Sequence, residues 1–153
     1  MDFTPDDDHL AIVDAVDRVC SDFDDAYWAE RDERHEFPWD FYSAMAAGGW
    51  LGVAIPEQFG GGGRGITECA LVLNRVAASG AAMNGSSALH LTMFGLNPVV
   101  KFGSDRLRQA FLPRAATGDL HVAFGVTEPD AGTDTSRIST RATDDGHGGY
   151  VIR

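Results

Sequence analysis

Apolar positions recur at helical spacing through the first three quarters of the chain and then at a spacing of two. Ile12, Val16, Val19 and Phe23 form the first repeat, after Thr4, Pro5, Asp6 and Asp7. A capping hydroxyl, a proline in the first turn and acids at the positive end of the dipole predict a helix start there. The helix buries one stripe and leaves its acids in water. A more polar helix is expected over 26–36, and a third from Pro38 through Trp39, Phe41, Met45 and Ala46, stopped by Gly48-Gly49. Leu71, Leu73, Val76 and Ala77 predict a helix over 67–79 closed by Gly80, and another runs from Ala81 through Leu89, Leu91 and Phe94 to Gly95. A short helix follows Pro98 through Val99, Val100 and Phe102. Ser104 caps the next, with Leu107, Ala110, Phe111 and Leu112 as its apolar face and Pro113 and Gly118 as its exit. Beyond Gly118, Leu120, Val122, Phe124 and Val126 alternate as in a strand. Ile138 to Ala142 alternates likewise, and Asp144-Asp145-Gly146 turns the chain into Tyr150-Val151-Ile152.

Two interruptions carry information. Leu51 to Phe59 runs into glycines from Gly60 to Gly63 and reads as a loop. It is not a P-loop: no Gly-Lys-Ser/Thr ending follows, and the run continues into Arg64-Gly65-Ile66. The small residues Ala81, Ala82, Gly85, Ser86, Ser87 and Ala88 allow a neighbouring helix or a ligand chain to approach closely.

Composition narrows the class. With 153 residues and 44% hydrophobic content, the chain is long enough for one ordinary core, or for one domain and part of another. A net charge of −11 disfavours nucleic acid or an anionic membrane as partner. The acid runs before position 41 read as solvated helix faces. Cys20 and Cys69 stand far apart and read as buried thiols in a reducing compartment, and no metal site is expected. Neither a basic-then-apolar leader nor an apolar run of membrane-spanning length is present, so the cytoplasm is the expected location.

The richest stretch is Phe124-Gly125-Val126-Thr127-Glu128-Pro129-Asp130-Ala131-Gly132-Thr133-Asp134. An apolar run breaks at Thr-Glu-Pro, and a small-residue turn ends in Gly-Thr-Asp, which presents main-chain donors and two hydroxyls in a short space. This stretch resembles the flavin signature of the acyl-CoA dehydrogenases, and Pro56-Glu57-Gln58-Phe59-Gly60-Gly61 resembles that family's Pro-Glu-Glu-Tyr-Gly-Gly loop. The order of features from Pro38 onward is similar as well.

The resemblance implies a mainly α fold, with an N-terminal helical bundle domain over 1–119 and, over 120–153, the first strands of a β-barrel-like middle domain. It implies FAD as cofactor and an acyl-CoA as substrate, dehydrogenated between its α and β carbons with hydride passing to the flavin. Carried over by position, it places Phe124 at the flavin and substrate edge, where the family often has Tyr. Val126 and Thr127 would lie on the isoalloxazine ring, and Thr133 at the pyrophosphate or at substrate atoms. Glu128 and Asp134 are expected to fix turns rather than to do chemistry. Met83, Met93 and Phe94 fit either a core or an acyl pocket, and His90 reads as a hydrogen-bonded helix histidine. His121 and His147 carry no signal.

The family continues past the position of Arg153 with a C-terminal bundle that supplies the catalytic base, so no catalytic residue is assigned and the chain alone is expected to lack turnover. Its partners would be a complementary C-terminal half or further copies of itself. A non-catalytic helical module that binds an acyl chain or a partner, with a relic flavin motif, remains open. So does flavin chemistry of the monooxygenase or nitroalkane oxidase kind.

Overall fold

A computed structural model describes residues 5–123 and 125–153. The helices follow the apolar repeats: α1 Asp7–Cys20, α2 Asp25–Arg34, α3 Trp39–Ala47, α4 Ile66–Val76, α5 Ala82–Gly95, α6 Asn97–Phe102 and α7 Asp105–Ala116. Their starts are built by side chains. Asp6 accepts the His9 N–H at 2.8 Å, Asp24 that of Tyr27 at 2.9 Å and Ser104 that of Leu107 at 3.3 Å. The carboxylate of Asp6 thus takes the role expected of the Thr4 hydroxyl, and Thr4 itself lies outside the described residues. At α4 the capping works backwards, with the Glu68 carboxylate accepting from the Gly65 N–H at 2.8 Å.

Helices α1 to α5 enclose the main core, where Val16, Phe41, Met45, Leu51, Val72, Val76 and Leu89 are fully buried. Phe23, Tyr27, Trp28 and Phe41 pack edge to face, with ring centroids 4.9–5.3 Å apart. The Trp28 indole donates to the Phe23 carbonyl at 3.1 Å, so its polar edge is satisfied inside the core. Between α1 and α4, Arg75 forks onto Asp17 at 2.7 and 2.9 Å, and His9 Nε2 lies 3.3 Å from Glu68 Oε1. A smaller cluster of Ile55, Leu112, Ala115 and Ala116 seats α7.

The glycine loop has a structural task. Gly62, Gly63 and Arg64 donate their N–H groups to the carbonyls of Gly52, Ile55 and Val53 at 2.8–2.9 Å, so the loop is stitched onto the preceding segment. An added Cβ at Gly61 would sit 2.1 Å from the Ile55 carbonyl oxygen, so only glycine fits there. With those donors engaged, the run cannot cradle a phosphate, as the missing Lys-Ser/Thr already implied.

Between α4 and α5 a π-turn over Ala77–Ala81 contains Gly80 at φ 91°, and Ala82 follows at φ 45°. The helix end expected at Gly80 thus takes the form of this π-turn, and the next helix starts at Ala82, one residue past the expected Ala81.

Three expectations are corrected. Helix α7 passes through Pro113 to Ala116, because the missing proline N–H leaves only the carbonyl of solvent-exposed Gln109 without its helical donor, while Leu112, Ala115 and Ala116 are buried. Leu107 and Phe111, taken as part of its apolar face, are 41% and 36% exposed. No strand forms over 120–126 or 138–141 among the described residues. Alternation alone makes no ladder, and the Leu120 N–H bonds instead to the Arg114 carbonyl at 3.0 Å.

The chain divides into two compact units, Met1–Ala123 and Phe124–Arg153. In the second, β1 Ala142–Asp144 and β2 Tyr150–Ile152 form an antiparallel hairpin with Thr143 opposite Val151. Asp144 and Asp145 bind turn N–H groups of Gly146, His147 and Gly149, which closes the hairpin as the Asp-Asp-Gly pattern implies. Tyr150 and Ile152 are exposed, leaving an uncovered apolar face on this unit.

Candidate flavin segment and the open face of helix α5

The segment from Gly125 to Thr140 is organised by one carboxylate. Glu128 and Ala131 exchange backbone hydrogen bonds at 3.0 and 3.2 Å, folding Pro129 and Asp130 into a turn over the buried Ala131. The Glu128 side chain then reaches forward. Its Oε2 accepts the Ser139 N–H and hydroxyl at 2.9 Å each, and its Oε1 accepts the Thr140 N–H at 2.8 Å. These donors, led by the Ser139 N–H, favour the ionised form and hold Glu128 at a pKa of about 2. Asp134 does similar work at shorter range, accepting the Ser136 N–H at 3.2 Å to start a single 3₁₀ turn, Thr135–Arg137.

The three described candidate cofactor residues flank this pinned turn. Val126 and Thr127 precede it and Thr133 follows it, and all three are exposed. Their N–H groups and the two hydroxyls have no hydrogen-bond partner among the described residues, while Gly125 and Gly132 each face open space on the side a Cβ would occupy. Phe124 lies outside the described residues. The turn is therefore fixed internally by Glu128 and Asp134 and presents unused donors outward. That donor set fits a flavin, whose ring edge and pyrophosphate are rich in acceptors.

In the helical unit, α5 has two faces of different character. Gly85, Ala88, Leu89, Thr92 and Met93 are buried, so Met93 belongs to the core. Gly85 meets its neighbour closely: an added Cβ would lie 3.1 Å from Trp28 and 2.6 Å from the Ala81 methyl. The small-residue stretch is in this respect a helix-packing device. On the other face, Met83 is 73% exposed and Phe94 41%. Ser86 and His90 lie between them. The Ser86 Oγ and His90 Nδ1 atoms are buried and have no hydrogen-bond partner among the described residues, while the imidazole packs against the Phe94 ring at 5.2 Å. This corrects the expectation of a hydrogen-bonded His90: helical spacing places the residue but does not say whether its nitrogens find partners.

Two further features were not visible in the sequence. His121 packs against Phe37, Trp39 and Tyr42, with centroids 4.8, 5.6 and 5.0 Å away. The three aromatics stand close together in sequence, but nothing linked them to position 121. A cleft of about 540 Å³ opens between the glycine loop, α4 and α6, with Leu73 and Met93 among its apolar walls and Arg64 and Lys101 among its lining. Both cysteines are free and buried, and desolvation raises both thiol pKa values. Among the described residues no cluster of His, Cys, Asp and Glu could hold a metal, and no helix is long and apolar enough to cross a membrane.

Comparison with known proteins agrees with this layout. Residues 6–119 match the model of the acyl-CoA dehydrogenase N-terminal domain. Acyl-CoA dehydrogenase FadE12 of Mycobacterium tuberculosis (strain ATCC 25618 / H37Rv) is 35% identical over 147 residues, covering 94% of this chain and 37% of the relative. The solved butyryl-CoA dehydrogenase from Megasphaera elsdenii superposes with a TM-score of 0.83 at 26% identity, covering 99% of this chain and 40% of that one. PigA, solved with FAD and proline, superposes at 0.86 and 27% identity, with coverages of 99% and 40%. The chain thus spans about two fifths of the length of the proteins it matches. A mainly helical unit with these caps and this core, followed by a short hairpin and matched to the family's N-terminal domain, places the chain in the acyl-CoA dehydrogenase family.

Proposed function

We propose that this chain contributes the N-terminal part of an FAD-dependent site that dehydrogenates an acyl-CoA thioester. The observation that carries the reading is the pair of exposed threonines, Thr127 and Thr133, with free donors on either side of the turn pinned by Glu128. The Val126 and Thr127 N–H groups and the Thr127 hydroxyl would hold the isoalloxazine ring, and Thr133 the pyrophosphate or nearby substrate atoms. FAD, when bound, supplies the hydride acceptor. Donors fixed in place before the reaction stabilise charge that develops on the ring without reorganising. The division into a helical domain over 1–119 and the opening of a β domain over 120–153 belongs to the same reading.

No carboxylate that shapes the turn is suited to proton abstraction. Glu128 is held ionised by three donors and is therefore a weak base, and Asp134 is engaged by Ser136. We infer that residues 1–153 alone do not turn over and that further polypeptide, in the same chain or in a separate one, completes the site. The test is reduction of an artificial electron acceptor by the chain with FAD and butyryl-CoA. It should be absent with the chain alone and appear when the remaining segment of a relative is added; no reduction in either case contradicts the reading.

The cleft in the helical unit favours a second reading, a module that holds an acyl chain without flavin. Apolar walls and two cationic residues suit an amphiphilic anion, and among the described residues the Arg64 guanidinium is engaged only by a 3.4 Å contact with Asp8. Binding of a fluorescent fatty acid that is unaffected by FAD, with no flavin retained, would support this module instead.

A further inference from the structure

The unit over 124–153 uses its carboxylates on its own polar groups. Glu128 is taken up by Ser139 and Thr140, Asp134 by Ser136, Asp144 by the Gly146 N–H, and Asp145 by the N–H groups of His147 and Gly149. Its arginines, Arg137, Arg141 and Arg153, have no ion pair among the described residues. Two of them stand opposite each other. Arg141 and Arg153 exchange both backbone hydrogen bonds, at 2.8 and 3.1 Å, next to the Ala142–Ile152 pair of the hairpin. A pair bonded in this way has Cα atoms about 5.5 Å apart and both side chains on one face. Alternation along the strands puts Thr143 and Val151 on that face too, and Ala142, Asp144, Tyr150 and Ile152 on the other. The hairpin is therefore two-faced, with its paired cations on the side that lacks Asp144. Both arginines are exposed, and like charges placed opposite repel. The backbone beneath them is fixed, since Glu128 holds the N–H of Thr140, the residue before Arg141, at 2.8 Å.

We propose that Arg141 and Arg153 form a clamp for a phosphate group, with both guanidinium forks donating to its oxygens. Planar forks match phosphate geometry, and an anion set between them turns their mutual repulsion into shared attraction. The ligand class is a phosphate ester or diphosphate, a group that FAD and a CoA thioester both carry. The clamp itself follows from the hairpin; only the source of the phosphate rests on the reading proposed above.

The experiment follows the arginine side-chain Nε–H signals of the unmodified chain by NMR as inorganic pyrophosphate, CoA, dephospho-CoA and FAD are added in separate titrations. The signals of Arg141 and Arg153 should move together with pyrophosphate while Arg137 stays still. Affinity should fall about tenfold in Arg141→Gln and in Arg153→Gln, with amide exchange in the hairpin unchanged, and should be unaffected in Arg137→Gln. A response to CoA that dephospho-CoA fails to give identifies the ribose phosphate of CoA as the source. Equal responses to those two, or a response to FAD, identify a diphosphate instead. Pyrophosphate that moves all three arginines alike, or none of them, would overturn the clamp. Flavin retention that depends on Thr127 and Thr133 is a separate readout, so the clamp can fail while the cofactor reading stands.

Discussion

Glu128 accepts the backbone N–H of Thr140, twelve residues further along the chain, at 2.8 Å. One side chain thereby joins the Pro129-Asp130 turn to the chain that follows the 3₁₀ turn. The Thr-Glu-Pro and Gly-Thr-Asp elements look like a list of ligand contacts in the sequence. In the folded unit the acids hold the shape, and the threonines are left free to bind.

Replacing Glu128 with Gln should loosen this segment, because the amide nitrogen of Gln cannot accept the hydrogen bonds that a carboxylate oxygen does. Amide exchange at Ser139 and Thr140 should accelerate while exchange in α3 and α5 stays unchanged. Unaltered protection at those two amides would refute the organising role of Glu128.

The same carboxylate gives a pH dependence with a definite sign. Its pKa is depressed from 4.5 to about 2, so its contribution is fully present above pH 4.5 and fades as the pH falls toward 2. Protection of the Ser139 and Thr140 amides, corrected for intrinsic exchange, should decline over that window in the native chain and be flat in Glu128→Gln.

In the helical unit, Phe41 is fully buried against Phe23 and Trp28. Phe41→Ala should cost about 4 kcal/mol from lost transfer energy and the cavity left behind. Urea denaturation followed by tryptophan fluorescence measures this directly. A loss below about 1 kcal/mol would mean that the aromatic cluster is not the centre of the core.

The glycine loop predicts a backbone effect. Gly61→Ala forces a methyl to within 2.1 Å of the Ile55 carbonyl oxygen, and the loop must shift. The expected cost is about 3 kcal/mol, with a lowered urea midpoint and an unchanged slope. Full stability in this variant would show that the loop is not held by the stitches from Gly62, Gly63 and Arg64.

Cys20 and Cys69 are 3% and 7% exposed, and burial raises both thiol pKa values, disfavouring the reactive thiolate. Alkylation by iodoacetamide at pH 8 should be slow in the native chain and should rise with the unfolded fraction in urea. Fast labelling without denaturant would contradict the packing of α1 against α4.

Helices α1, α2 and α7 were legible from their capping side chains, and α1 and α4 from an apolar stripe. Val16, Val76 and Leu89 fall where the repeats place them, whereas in α4 it is Val72, and not the expected Ala77, that is buried beside Val76. What misled was local chemistry that packing overruled. Pro113 reads as a stop, yet Ala115 and Ala116 are buried and carry α7 past it. Leu120 and Val122 alternate like a strand, but pairing depends on a neighbour that a local pattern does not specify. The candidate site was legible in part. Glu128 and Asp134 were read as turn-fixing residues, and they are, whereas the reach of Glu128 to Ser139 and Thr140 is a long-range contact with no sequence signature. The orphaned Nδ1 of His90 is equally silent in sequence, since satisfaction of a buried nitrogen depends on what surrounds it.

The most direct measurement is the visible absorbance of the chain titrated with FAD, alone and with the remaining segment of a relative, followed by gel filtration to remove free flavin. Flavin bands that stay with the complemented chain and are lost in the Thr127→Ala, Thr133→Ala double variant are the predicted result. No retained flavin with the unmodified chain under either condition, or retention that is indifferent to both threonines, would contradict the assignment of this segment to the cofactor.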